Sequence, residues 1–358
     1  MTTSSTGSVG VPGPPGSPRS VGAPGPHGPL EPIGPITTTD YHTGGEPFRI
    51  VTGGAPELEG GSVLERRRWV AEHHDEIRRL LVNEPRGHAD MYGCFVTPPN
   101  DPEGDLGVVF FHNEGYSTAC GHGTIALVTW ALDTGLVSGP DVVVDVPSGR
   151  LRAQATRAVD GSVHAVRFAN VPSFALALDV PVATSRGALT LDVGFGGAFY
   201  GSIDATAIGL RVDRASLPAL IELQRELRPA LESALDVVHP LEPELRGIYG
   251  VIFWESLGPG EGRNVTVFAD GEVDRSPCGS GTSARLALMH ARGELAVGEP
   301  FTHRSIVDSV FAAGISGTTE VAGRPAVDTW VEGSAFRTGQ HTFELDPRDT
   351  LGTGFLLR

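Results

Sequence analysis

Two stretches of the chain repeat one another, and each carries a thiol placed where a thiol can do chemistry. The first is Ser117-Thr-Ala-Cys120-Gly-His122-Gly-Thr-Ile-Ala-Leu127, and the second is Arg275-Ser-Pro-Cys278-Gly-Ser280-Gly-Thr-Ser-Ala-Arg285. Both read C-G-x-G-T-x-A, with the cysteines 278 − 120 = 158 positions apart. An apolar, helix-compatible run follows each: Leu127, Val128, Trp130 and Leu132 in one, Leu286, Leu288 and Met289 in the other. The pattern predicts two related halves, each ending a strand in a glycine-rich turn that opens a helix. The first amides of a helix lack internal partners and carry the positive end of its dipole. Glycine lets the backbone come close to an anion, so two such turns facing one another can bind a carboxylate through N–H groups. The same field favours thiolate over thiol, which makes both cysteines candidate reactive groups near neutral pH.

The neighbouring elements must position these turns. Val108-Val-Phe-Phe111 reads as a buried strand leading into the first cysteine turn. Tyr249-Gly-Val-Ile-Phe-Trp254 and Asn264-Val-Thr-Val-Phe268 read as strands leading to the second. Phe48–Thr52, Asp141–Val146 and His164–Phe168 are further strands, and Val327–Val331 through Phe343–Leu345 read as strands and hairpins closing the sheets. Ser62-Val-Leu-Glu65 is a capping box. It opens an amphipathic helix expected to run to about Asn83, with Trp69, Val70, Ile77, Leu80 and Leu81 on its apolar face and His73 and His74 solvated. Pro218 suits the first turn of a second surface helix, with Leu220, Ile221, Leu227, Leu231 and Leu235 as its stripe. Pro229 is expected to kink or break that helix. Cys94, the third cysteine, reads as a small buried hydrophobe. Arg86-Gly-His88-Ala-Asp90 reads either as a buttress of the pocket or as a structural turn. The glycine-dense Asp192–Ala198 lacks the acidic partner of a nucleotide loop.

Composition removes several function classes. A chain of 358 residues has room for two domains. Its net charge of −16, with no basic block, argues against nucleic acid, whose affinity rests on Lys and Arg contacts to phosphate. No apolar run reaches membrane-spanning length, and the N-terminus lacks a signal-peptide core. Three cysteines are too few for a disulfide scaffold, so reduced thiols and a cytoplasmic location are expected. All 27 basic residues are arginine. Without a lysine the chain cannot form the internal Schiff base of a pyridoxal phosphate enzyme, nor complete a Walker A loop. A lone Cys-x-His does not supply the four ligands of a zinc site, and neither a metal nor a cofactor is expected. A redox pair in a binding protein would leave the duplicated glycine turns without a purpose. Residues 1–37, rich in Pro, Gly and Ser, carry too few large apolar residues to pack and read as a disordered tail.

The two cysteine stretches, with Asp274 before the second, resemble the two active-site signatures of the proline racemase family. That family includes proline racemases, 4-hydroxyproline 2-epimerases and trans-3-hydroxyproline dehydratases. Asp40-Tyr-His-Thr-Gly-Gly-Glu-Pro-Phe-Arg49, Glu84–Gly93 and Gly354-Phe355 are also similar to the family, so the resemblance spans roughly residues 38–358. It implies an α+β, diaminopimelate-epimerase-like fold of two pseudo-symmetric domains, each a curved sheet around a central helix, with the active site in the interdomain cleft. Residues 38–175 plus about 340–358 would form the domain carrying Cys120, and 176–339 the domain carrying Cys278.

The chemistry the resemblance implies is inversion at the α carbon of a proline-type imino acid, without cofactor. One cysteine, as thiolate, takes the Cα proton, and the other, as thiol, delivers a proton to the opposite face. Backbone amides of Gly121, His122, Gly279 and Ser280 would stabilise the charge developing on the carboxylate, while Asp274 and His122 would hold the ring nitrogen. Reacting atoms about 3–3.5 Å from one carbon place the two sulfurs roughly 6–7 Å apart. The expected partners are this small substrate and at most a second copy of the chain. Family dehydratases usually carry threonine at the second cysteine position, so a chain with both cysteines points to 4-hydroxyproline 2-epimerase or proline racemase activity. The alternative is trans-3-hydroxy-L-proline dehydratase, whose branch Asn113–Tyr116, Gly196–Tyr200 and Glu84–His88 resemble. Many 4-hydroxyproline epimerases carry a histidine on the strand before the second signature; here none lies between Arg246 and Asp274, and Tyr249 stands in that region. Ser280 replaces a more usual threonine.

Overall fold

The computed structural model of the chain describes residues 34–357, so the tail expected at the N-terminus lies almost wholly outside the described residues. The first half of the chain forms β1 (Ile36–Thr43), β2 (Glu46–Gly53), α1 (Val63–His73), α2 (Asp75–Val82), β3 (Tyr92–Thr97), β4 (Leu106–His112), α3 (Gly121–Asp133), β5 (Asp141–Val146), β6 (Gly149–Arg157) and β7 (Val163–Ala169). The second forms β8 (Phe174–Thr184), β9 (Gly187–Phe195), β10 (Phe199–Asp204), α4 (Leu217–Ala234), β11 (Ile248–Gly258), β12 (Glu261–Phe268), β13 (Glu272–Asp274), α5 (Gly279–Ala291), β14 (Pro300–Ser305), β15 (Val310–Val321) and β16 (Arg324–Gly333). The last strand, β17 (Ala335–Phe343), returns to pair antiparallel with β1.

Strand pairing falls into two runs. One is β17–β1–β2–β3–β4–β5–β6–β7. The other is β8–β9–β10–β11–β12–β14–β15–β16, with β13 on the flank of β12. A short antiparallel ladder between β7 and β16 joins the runs. β17 begins at Ala335, before the expected return near 340, and the expected change of domain at 175/176 falls inside β8.

Each run curls around one helix. Helix α3 lies against β1, β2, β3, β6, β7, β16 and β17, and α5 against β8, β9, β10, β15 and β16. Apart from His122 and Asp133 in α3 and Arg285 and His290 in α5, both helices are apolar or small on every side, and a helix of that kind must be buried nearly all round. Gly121–Leu132 and Gly279–Met289 are buried without a break. The strands show why a sheet wraps them. β6 alternates buried and exposed positions, the period of a strand with one face on a core, whereas β4 is buried at every residue.

Two sequence expectations are corrected here. The helix expected from Ser62 to about Asn83 is two helices, broken at His74. The break lets the short α2 turn its own apolar face, Ile77, Leu80 and Leu81, into a satellite core with Phe95, Val109 and Phe111. Of the capping box, Ser62 Oγ accepts from Glu65 N at 3.2 Å, but the Glu65 carboxylate reaches back to Gly61 N at 2.7 Å. Conversely, Pro229 does not interrupt α4, which runs unbroken through it. One missing N–H is offset by the burial of Leu220, Leu223, Leu227 and Leu231 along one stripe. Cys94 is fully buried, as its reading as a small hydrophobe requires. No helix among the described residues is long and apolar enough to cross a membrane.

Candidate active site

The two central helices meet head to head. A Cβ added at Gly121 would lie 2.4 Å from Gly279 Cα, and one added at Gly279 would lie 2.6 Å from Gly121 Cα. Only glycine on both sides allows this contact, which brings the two positive helix ends to one place. The cysteines are the N-caps. Cys120 is extended (φ −152°, ψ 99°), and its Sγ accepts from Gly123 N at 3.3 Å. Cys278 adopts φ 63°, a region a non-glycine residue rarely occupies, and its N–H donates to Ser276 Oγ at 3.0 Å. The duplicated sequence therefore does not fold as a duplicated turn: Ser276-Pro277 stand where the first copy has Thr118-Ala119, and the Ser276 hydroxyl re-aims the backbone. The second glycine of each motif makes room for sulfur. A Cβ at Gly123 would sit 2.6 Å from Cys120 Sγ, and one at Gly281 would sit 2.9 Å from Cys278 Sγ.

Asp274 ends β13 and is buried, with Oδ1 accepting from Ser276 N at 2.8 Å. His122 is buried, its ring nitrogens 3.5 Å from Cys120 Sγ, its carbonyl accepting from Thr43 Oγ1 at 3.0 Å. Ser280 Oγ is 2.7 Å from the Tyr200 hydroxyl, and that hydroxyl is 4.0 Å from Cys278 Sγ. The amides of Gly121, His122, Gly279 and Ser280 are first-turn groups without an intrahelical acceptor. All seven residues singled out in the sequence thus converge where α3 and α5 meet.

The electrostatics differ from the expectation of thiols reactive near neutral pH. Burial pushes the Cys120 thiol well above its ordinary value, against the Gly123 N–H that lowers it, and Asp274 and Cys278 raise it further. Burial also pushes Cys278 up, reinforced by the charge of Asp274. Desolvation of a small buried ion outweighs the helix ends here. The same burial pushes Asp274 up to about 6, despite hydrogen bonds from Ser276, and lowers His122 to about 3, so the imidazole is neutral. A neutral imidazole keeps one acceptor nitrogen.

Several site residues carried no sequence signal of an individual role. The β1–β2 hairpin tip presses on the second run, with Gly44 close to Ser276 and Ser309. Behind it Glu46, fully buried, accepts from Arg275 N at 2.7 Å, and the Arg275 guanidinium also meets Asp90 at 3.2 Å. These contacts hold Arg275, the chain neighbour of Asp274, from the opposite half. Arg86 ties down the carbonyls of Gly352 and Glu344. Tyr92 packs edge-on against His122, with ring centroids 5.0 Å apart. Its hydroxyl bonds Ser117 and lies 2.9 Å from the Tyr249 hydroxyl. Tyr92 and Tyr200 lie on separate strands, inside the family-like stretches Glu84–Gly93 and Gly196–Tyr200, but nothing in their spacing assigns either a role. Among the described residues no group of three or more His, Cys, Asp or Glu side chains is arranged to hold a metal ion.

The sequence profile of the family described as proline racemase matches residues 38–356, nearly the whole folded chain. The chain belongs to the proline racemase family. It is 47% identical over 327 residues to a trans-3-hydroxy-L-proline dehydratase of Bacillus cereus, covering 90% of this chain and 98% of the relative. It is equally, 47%, identical over 334 residues to a 3-hydroxyproline 2-epimerase of Burkholderia multivorans, again covering 90% and 98%. A solved hydroxyproline epimerase from Agrobacterium vitis, with trans-4-hydroxy-L-proline bound, superposes with a TM-score of 0.84 at 34% identity over 90% of this chain and 96% of that one. A PhzF-family protein of Bacillus anthracis shares the fold alone, with a TM-score of 0.53 at 11% identity over 87% and 100% of the two chains. The architecture is therefore the α+β, diaminopimelate-epimerase-like one of racemase-family enzymes.

Proposed function

We propose that this enzyme is a cofactor-independent 2-epimerase of a ring-hydroxylated proline, with 3-hydroxyproline as its substrate. The observation that carries the reading is the pair of cysteines capping two helices whose first turns touch. The substrate carboxylate is received by the amides of Gly121, His122, Gly279 and Ser280, and the ring ammonium by Asp274 and the neutral imidazole of His122. An ammonium beside Asp274 cancels the negative charge that raises both thiols, so binding itself makes a thiolate easier to form. The thiolate takes the Cα proton, the electron pair is held by the carboxylate in its amide cradle, and the opposite thiol gives its proton to the other face. The two runs of strands act as two domains that close on the substrate and exclude water.

The ring assignment departs from the first expectation of 4-hydroxyproline or proline. It is favoured by the equal likeness to the Bacillus and Burkholderia enzymes named for 3-hydroxyproline, against 34% identity to the epimerase holding the 4-hydroxy isomer. The second reading, 3-hydroxyproline dehydratase, draws on the same likeness. Cys278 weighs against it, because a dehydratase needs only one base and no acid on the far face.

Incubation with L-proline, trans-4-hydroxy-L-proline and trans-3-hydroxy-L-proline in D2O, followed by NMR and polarimetry, tests the reading. The expected result is deuterium on Cα with inversion, fastest on the 3-hydroxy substrate. Fast water loss without inversion would replace it with the dehydratase.

The pH profile gives a second check. Asp274 must be charged to pair with the ammonium, and with its carboxyl near 6 it is mostly protonated at lower pH. kcat/KM, which reports the free enzyme, is therefore expected to fall about tenfold per unit below pH 6 and to climb into the alkaline range as thiolate forms. An acid limb centred on the ordinary carboxylate value of about 4 would contradict the burial of Asp274.

A further inference from the structure

A ring hydroxyl next to Cα makes inversion hazardous. Once the Cα proton has gone to a thiolate, its electron pair can form a double bond to the adjacent ring carbon and expel hydroxide. Hydroxide with one proton is water, and the enamine left behind tautomerises to a cyclic imine. An enzyme that inverts such a substrate has to keep the hydroxyl on the ring for the lifetime of the carbanion. The direction of hydrogen bonding at that hydroxyl matters here. A donor aimed at its oxygen helps it leave, whereas an acceptor taking its proton in a hydrogen bond makes the oxygen more electron-rich and a worse leaving group.

The site contains a hydroxyl chain of definite direction. The Tyr92 hydroxyl donates to Ser117 Oγ. A phenol has one proton, so in the contact of 2.9 Å with Tyr249 it is Tyr249 that donates and Tyr92 that accepts. Burial pushes both phenols well above their ordinary values, so both keep their protons. The Tyr249 proton is thereby committed, and what Tyr249 has left to offer is a lone pair. Its place suits the ring of the substrate. Tyr249 stands edge-on to Tyr200, whose hydroxyl adjoins Cys278, and Tyr92 stands edge-on to His122 beside Cys120. Tyr249 is only partly buried and lines a cavity of about 140 Å3 with Ser117, Thr118, Ala198, Arg67 and Arg246, on the side of the first cysteine turn.

We infer that the Ser117–Tyr92–Tyr249 chain presents an acceptor oxygen to the ring hydroxyl of the substrate, selecting hydroxylated rings and holding the hydroxyl in place during inversion. This rests on the epimerase reading above and adds the residues that read the ring. Tyr249 and Tyr92 are specificity and positioning residues, not proton carriers for Cα.

The test uses the full-length enzyme and two variants. Tyr249→Phe keeps the ring stacked on Phe268, whose centroid is 5.3 Å away at an interplanar angle of 14°. For wild type and variant, kcat/KM is measured by α-deuteration on trans-3-hydroxy-L-proline and on L-proline, together with the fraction of turnovers that lose water. In Tyr249→Phe the ratio of the two kcat/KM values is expected to fall at least about tenfold, in line with a lost hydrogen bond to a buried site, and the water-loss fraction to rise. Tyr92→Phe removes the acceptor of the Tyr249 proton and frees it to point at the substrate. Its water-loss fraction is expected to exceed that of Tyr249→Phe. An equal fall on both substrates, or an unchanged ratio, overturns the contact, and a fallen ratio with no added water loss overturns the retention. A wild-type enzyme that places no deuterium on Cα of either amino acid would instead defeat the epimerase reading on which the inference stands.

Discussion

Replacing Cys278 with alanine is expected to end inversion at Cα while leaving half of the exchange chemistry intact. Inversion needs a base on one face and an acid on the other, and the structure supplies one thiol at the mouth of each central helix. With Cys278 gone, the remaining thiolate at Cys120 still meets whichever antipode turns its Cα proton that way. It takes the proton, exchanges it with solvent and returns deuterium to the same face. The antipode whose proton faces position 278 is left without a base. Cys278→Ala should therefore lose inversion by about 10^3-fold or more, within the range for removing a positioned acid or base, and deuterate only one antipode of proline with retention. Cys120→Ala should do the same for the other antipode. Rates of α-deuteration on D- and L-proline with each variant, in D2O, decide the matter. If both variants spare the same antipode, the sulfurs do not serve opposite faces. If Cys278→Ala still consumes 3-hydroxyproline at the wild-type rate, Cys120 alone carries the chemistry and the enzyme is a dehydratase.

The asymmetry of this outcome follows from how the site is put together, and only part of that was readable in the sequence. The C-G-x-G-T-x-A repeat announced two equivalent turns because glycine, cysteine and threonine at those spacings answer to local demands: a helix start, a close approach and a side-chain cap. Thr124 Oγ1, for instance, donates to the Cys120 carbonyl at 2.8 Å. The central helices were readable for the same reason. What the repeat could not disclose was that Cys278 would sit at positive φ, since that depends on Ser276 and on the hairpin tip at Gly44 packed against it from far away in sequence. The thiols differ from their local expectation on similar grounds. A helix N-terminus lowers a cysteine pKa by a local rule, but burial under strands of both runs is a property of the whole fold, and at this site it prevails. Tyr92, Tyr200 and Glu46 lie inside stretches that resemble the family, but their individual roles are not legible there, because each sits on a separate strand whose period explains it as core. Tertiary pairing alone brings the Tyr200 hydroxyl to 4.0 Å from Cys278 Sγ and the Tyr92 ring edge-on to His122 beside Cys120. His74 and Pro229 show the reverse error, a local signal read too literally. The chain broke a helix where a satellite core needed a turn, and carried another through proline where a buried stripe held it.

The contact between Gly121 and Gly279 leads to the other large effect. Gly121→Ala adds a methyl group whose carbon would stand 2.4 Å from Gly279 Cα and 3.0 Å from its C and N. These are backbone atoms at the start of a helix and cannot rotate aside as a side chain would. Restoring an ordinary carbon–carbon separation of about 3.5 Å means parting the two helices by about 1 Å. Overpacking of this kind costs about 1–3 kcal/mol of stability, a modest loss for a core this large. The catalytic loss should be greater. Both sulfurs and all four carboxylate-binding amides ride on those helix ends, and a misplacement of about 1 Å at a reacting centre is worth about 10^2-fold in rate. Gly121→Ala is therefore expected to fold with a slightly lowered urea midpoint, to keep all three thiols titratable after unfolding, and to lose at least about 10^2-fold in kcat/KM for α-deuteration. Gly279→Ala, which strikes the same contact from the other side at 2.6 Å, should match it closely. A Gly121→Ala enzyme that retains wild-type kcat/KM would mean that the spacing of the helix ends does not set the spacing of the sulfurs, and the physical basis for assigning the pair to one carbon would be gone.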